Sequence, residues 1–256
     1  MSPLPTTVPA IVRTRIRAAV RRNRATEAAA DPARGEHRSL LLRLMSLTLQ
    51  YPDDELVVAR PTVAASVAAL PESPAAAELT AFADWFTGEE PDALAQHYVD
   101  MFDLRRKSSL YLTYYLHGDT RRRGMALLAL AQRYRAAGWD TDGGELPDHL
   151  PVVLEFAALC GPGAGEAPLR QHRRGLQLIH RALTDADSPY RHVLAALLAL
   201  LPPPTDADRD AVAELAAQGP PNEDVGLDPY AGDLFAPPDT FVPPLQAPPT
   251  TAEGHR

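Results

Sequence analysis

Asp148 and His149 stand side by side behind Pro147. A carboxylate next to an imidazole is a pairing used in general acid–base chemistry, because histidine titrates near neutral pH. On a helix, neighbouring residues point about 100° apart, so these two do not simply hydrogen-bond to each other. Directly after a proline, Asp148 reads better as a first-turn carboxylate meeting a helix dipole. Metal chemistry has thinner support. His172 and His180 lie eight residues apart and can share a helix face, but no third ligand lies nearby in sequence. Among Arg170, Arg173, Arg174 and Arg181 they read as solvent-facing. Cys160, the only cysteine, sits in an apolar helical run and reads as a buried small hydrophobe rather than a nucleophile. There is no HExxH, no GxxxxGK[ST], no GxGxxG after a strand and no GxSxG.

Recognition chemistry is better supplied. Tyr98, Tyr111, Tyr114, Tyr115 and Tyr134 fall between Gln96 and Phe156, with Arg105, Arg106, Arg121, Arg122 and Arg123 around them. Tyrosine and arginine are enriched at binding hot spots because they bury area while keeping a polar handle. If helical, Tyr111 shares a face with Tyr114 and Tyr115. Two readings stay open: a core face whose hydroxyls reach water, or a face that meets a partner. The arginines likewise read either as a solvated face or as a basic wall for an anion or acidic segment. Set against Glu145 and Asp148, they suit a groove with charged rims that takes an amphipathic peptide.

The elements that must position these residues read as helices throughout. Leucines from Leu40 to Leu49 form a stripe that stops at Tyr51–Pro52. A segment opening at Asp53 and Asp54 is expected to break at Pro61 and resume to Leu70. Ser73 reads as an N-cap with Pro74 at the first helical position, for a helix carrying Leu79, Phe82, Trp85 and Phe86 to Gly88. Pro91 starts another, with Leu94, Tyr98, Met101 and Phe102 at helical spacing. Residues 109–119 favour helix over strand, since Thr113 is their only β-branched residue. Asp119 or Thr120 is placed to cap a helix from Arg121 to Ala137, closed by Gly138. A loop leads to Pro147 and a helix through Leu159; residues 161–168 read as a flexible break, followed by helices over 169–183 and 189–201.

The ends differ from this middle. Residues 1–36 hold seven arginines against three acids and read as a disordered basic arm. Nothing apolar enough for a secretory signal follows Arg21 and Arg22. Residues 202–256 hold 12 prolines, ten acids and two basic residues, an acidic tail with one weak helix near 206–217. The expected architecture is therefore all-α: one multi-helix globular domain over 37–201 between a basic arm and a Pro-rich acidic tail. A net charge of −8 argues against nucleic acid, and no apolar run approaches membrane-spanning length. A lone cysteine excludes a disulfide framework and suits a reducing, cytoplasmic setting.

The run YVDMFDLRRKSSLYLTYYLHGDTRRRGMALLALAQRYRAAGW from Tyr98, with ELPDHLPVVLEFA from Glu145, resembles the redox-enzyme maturation chaperones of the TorD/DmsD/NarJ class. Within that class it is most similar to the nitrate reductase molybdenum cofactor assembly chaperones, or delta subunits. LLLRLMSLTLQYPDDEL from Leu40 and PPNEDVGLDPY from Pro220 fit the same pattern. The resemblance implies a non-catalytic, all-helical chaperone without cofactor or metal. Its implied partner is the apo form of the nitrate reductase alpha subunit, including the N-terminal segment, held competent for molybdenum cofactor insertion. Tyr98 and Phe102 match the family's aromatic pair, and Glu145, Pro147, Asp148 and His149 its acid-Pro-Asp-His run. Together with Tyr111, Tyr114, Tyr115 and Arg121 these are the expected client-binding residues. Ser108 and Ser109 stand where some relatives carry cysteine. The resemblance also implies that the tail around 225–230 folds back or docks. Alternatives are a chaperone for another molybdoenzyme with a twin-arginine leader, and a small acid–base enzyme using Asp148 and His149.

Overall fold

The computed structural model describes residues 32–139 and 144–203, together with Val212. The described chain is all-α: α1 (Pro32–Thr48), α2 (Asp54–Ala68), α3 (Pro74–Gly88), α4 (Pro91–Tyr98), α5 (Leu112–His117), α6 (Arg121–Ala136), α7 (Leu150–Cys160), α8 (Ala167–Gln171), α9 (Arg173–Asp185) and α10 (Tyr190–Leu200). Wide π-type turns over Val99–Asp103 and Gly161–Gly165 extend α4 and α7. No strand occurs among the described residues, only an isolated antiparallel bridge between Tyr111 and His149. The basic arm up to residue 31, the weak helix expected at 206–217 (save Val212) and the tail segment at 225–230 lie outside the described residues.

Helix starts follow local chemistry. The Asp53 carboxylate accepts from the Leu56 amide at 2.9 Å, and the Ser73 hydroxyl from Ala76 at 3.1 Å, each satisfying a first-turn N–H with no partner inside its helix. Pro74 and Pro91 occupy first turns, where a missing N–H costs nothing.

Several expectations are corrected. α1 begins at Pro32, inside the stretch assigned to the arm. The helix does not break at Pro61; α2 runs through it. A proline there leaves the carbonyl four residues earlier without its donor. Arg60 supplies one: its Nε donates to Val57 O at 3.2 Å, while Nη1 reaches Phe86 O and Glu89 O at the end of α3. Thr120 precedes α6 but does not cap it; its hydroxyl donates instead to His117 O at 2.7 Å. The glycine-rich run 161–168 is not a flexible break. Arg170 donates to Pro162 O and Gly163 O at 2.6 and 2.7 Å, and Arg38 of α1 pairs with buried Glu166 at 2.8 Å. The helix expected over 169–183 is divided at His172 into α8 and α9.

α1 packs on α7, and α3 on α2 and α10, with α9 against α10. Tyr190, fully buried, is the aromatic hub: Phe82, Trp85, His97, Tyr98 and Phe102 all have ring centroids within 6.0 Å of it. α6 stands apart from this core. It is held by a separate cluster of Leu130, Tyr134, Trp139 and Phe156, the last contributed by α7. No helix of the described residues is long and apolar enough to cross a membrane.

Candidate recognition site

Asp148 organises the site, though not as a first-turn residue of the helix behind it. α7 starts at Leu150, and the fully buried Asp148 carboxylate turns to the start of α5. Its Oδ2 accepts from the Thr113 amide at 3.1 Å and from the Thr113 hydroxyl, and its carbonyl accepts from Leu112 N at 3.0 Å. Leu150 N returns a bond to Leu110 O at 2.8 Å, which closes the bridge between Tyr111 and His149. Because Tyr111 is extended, it lies before α5 rather than on a shared helical face with Tyr114 and Tyr115. The run 145–149 and the tyrosine segment are thus stitched together across 35 residues of chain.

Around this stitch the accessible side chains converge. The Tyr111 ring lies 5.2 Å from that of His149. His149 Nδ1 is 3.5 Å from Glu145 Oε2. Burial lowers the His149 pKa, against the opposing pull of Glu145, Asp148 and Asp103. Burial likewise raises that of Tyr111, with Glu145 acting the same way. Arg123 places its guanidinium 5.8 Å from the Tyr111 ring centroid and 6.0 Å from that of Tyr114. Its nitrogens lie 3.0 Å from Asp119 and 3.9 Å from Asp148. Pro147 is fixed from below by the Tyr134 hydroxyl, which donates to its carbonyl at 2.6 Å.

Other expected residues lie deeper. Tyr98 and Phe102 are buried, their rings 4.9 Å apart, with the Tyr98 hydroxyl on Leu49 O at 3.1 Å. Tyr115 is also buried and donates to Ser109 O at 2.8 Å and Lys107 O at 3.2 Å. These three and Asp148 therefore back the surface, while Tyr111, Tyr114, Arg121, Glu145, Pro147 and His149 reach solvent. Exposed Leu104, Leu146 and Tyr51 extend the accessible apolar area, Tyr51 packing edge-on against Tyr98 at 5.6 Å. Ser108 is buried and donates to the Met101 carbonyl, a structural contact that closes the wide turn after α4.

Arg123 and Thr113, with the exposed Tyr51, Leu104 and Leu146, are site residues that sequence reasoning did not single out. Arg123 was legible only as one of three adjacent arginines; its i,i+4 spacing from Asp119 marks the one held inward. Nothing in sequence links Thr113 to Asp148. Asp148 turns to Thr113 and His149 to Tyr111 and Glu145, so the two side chains have different partners. His172 is buried with Nδ1 2.9 Å from Pro168 O, a correction to its solvent-facing reading. His180 is half-buried. Cys160 is only half-buried at the edge of the second cluster, and burial raises its thiol pKa. Among the described residues no group of three or more His, Cys, Asp or Glu side chains is placed to hold a metal.

Comparison with known proteins identifies the family of the chain. The chain is 39% identical over 166 residues to a nitrate reductase-like protein, NarX, of Mycobacterium tuberculosis, and spans a quarter (25%) of that protein's length against 65% of its own. It is 32% identical to a probable nitrate reductase molybdenum cofactor assembly chaperone, NarJ, of Bacillus subtilis, covering 89% of that protein and 64% of this chain. To the Escherichia coli nitrate reductase molybdenum cofactor assembly chaperone NarJ it is 34% identical, covering 75% of that protein and 69% of this chain. The sequence model of the nitrate reductase delta subunit matches residues 69–196, which span α3 to α10 and contain every residue of the site except Tyr51. With that match and these identities, the chain belongs to the nitrate reductase delta subunit family.

Proposed function

We propose that this protein is a cytoplasmic assembly chaperone that acts by binding rather than turnover. Its client is the immature catalytic alpha subunit of a respiratory nitrate reductase, engaged through surfaces that include the subunit's N-terminal segment and held competent for molybdenum cofactor insertion. The observation that carries this reading is the stitched cluster of Tyr111, Tyr114, Arg123, Glu145 and His149 beside exposed Leu104 and Leu146. It offers apolar and aromatic area with an acidic rim of Asp103 and Glu145 on one side and Arg123 of α6 on the other. Apolar residues of the client supply most of the affinity, and the two rims set its orientation and on-rate. Tyr98, Phe102, Tyr115 and Asp148 hold the surface in shape from behind.

A calorimetric titration of the full chain with a peptide of the alpha subunit's N-terminus tests this. Tyr114→Ala weakens binding by about tenfold, the effect of truncating a hot-spot aromatic, with helical content by circular dichroism unchanged. Parallel loss of helix and binding reduces Tyr114 to a core residue, and unaltered affinity moves the client elsewhere.

A further inference from the structure

α6 has a second face that the client site does not use. The helix carries five arginines and no acid, in a chain whose net charge is −8. Only Leu130 and Tyr134 of its residues are buried. Arg123 points towards the tyrosines; Met125, two residues on, lies about 200° around the helix, so it faces away. Met125 is 68% exposed and Leu128 46%, and a spacing of three puts them side by side. Exposed Arg122 stands towards one end of this apolar spot, about 60° to one side of Met125, and exposed Arg135 towards the other end, within about 20° of Leu128. Thirteen residues separate those arginines, or about 20 Å along a helix.

We propose that this outer face of α6 docks an acidic amphipathic helix of a protein partner. Apolar residues of that helix meet Met125 and Leu128, and carboxylates near its ends meet Arg122 and Arg135. Charge selects this occupant. An anionic bilayer or a nucleic acid would meet the whole molecule's −8 as well as the local arginines, whereas a protein helix needs only local complementarity. Two large apolar side chains are also too few to seat a helix in lipid. A second copy of the chain is disfavoured, since α6 against α6 sets arginine against arginine. The surface is independent of the client site, so each can fail alone.

The test titrates the full chain with two fluorescein-labelled synthetic peptides of identical Leu, Ala and Glu composition. One keeps leucines at helical spacing between terminal glutamates; the other has the order shuffled. Phosphatidylglycerol vesicles form a third arm. The ordered peptide is expected to bind about tenfold more tightly than the shuffled one, with about the same loss in Leu128→Ser and in Arg135→Glu. Both residues are exposed, so circular dichroism stays unchanged, and titration with the alpha-subunit peptide is unaffected in both variants. Equal affinity for the two peptides, full affinity in both variants, or binding to vesicles but not peptide overturns the proposal.

Discussion

At the scale of single residues, Asp148 carries most of the structural consequence. Its carboxylate satisfies the amide and hydroxyl of Thr113 in a site with no access to water. Leaving a buried donor unpaired costs about 1–3 kcal/mol, so Asp148→Ala is expected to lower stability by that order, read by urea denaturation. Asp148→Asn keeps an acceptor for Thr113 N and loses less. A stability equal to wild type in the alanine variant would mean that the stitch between residues 145–149 and the tyrosine segment is not held by this side chain. The same residue bears on the acid–base alternative. The Asp-His step is real, and its two side chains serve different partners.

Helices and turns obey their own local rules, and two glycines make the point in opposite directions. Gly165 closes the wide turn after α7, and a Cβ there would lie 2.9 Å from Cys160 Cβ and 3.1 Å from Ala157 O. Overpacking of this kind costs about 1–3 kcal/mol, so Gly165→Ala is expected to destabilise. Gly124 lies within α6 with nothing within 4 Å of a Cβ. There alanine gains about 1 kcal/mol of helix propensity, and Gly124→Ala is expected to raise the melting temperature. Measured melting temperatures that shift the same way in both variants would contradict this account. Pro61 belongs to the same scale: whether it breaks a helix depended on a donor for Val57 O, which Arg60 provides.

Across the whole molecule, burial sets the response to pH. His97, His149, His172 and His180 sit on different elements, and for each burial is the leading cause of a pKa below 6.5. The unfolded chain therefore binds more protons than the folded one once pH drops below 6.5. Stability is at its full value above that pH and falls on acidification towards the lowered folded-state values. Thermal melts from pH 8 to 5.5 should show this decline, and His172→Gln, which removes a buried group, should flatten it. A melting temperature independent of pH over that range would show that these histidines bind protons equally in the folded and unfolded chain, against the lowering by burial.

The all-helical class, the N-cap at Ser73 and a helix opening at Asp53 were written in residue type and spacing, because capping and amphipathic periodicity are local physics. Which tyrosines face water was not. Tyr98, Tyr111, Tyr114 and Tyr115 have one chemistry, and only the packing of α4, the wide turn and α5 against the rest sorted them into buried and accessible. Nor did spacing reveal that Asp148 would serve Thr113, Arg60 would rescue Pro61, or Arg38 would pin the turn at Glu166. Those partners lie up to 128 residues apart in the chain or depend on side-chain direction. A polar group is satisfied by whatever folding brings beside it, and that is decided by the tertiary structure alone.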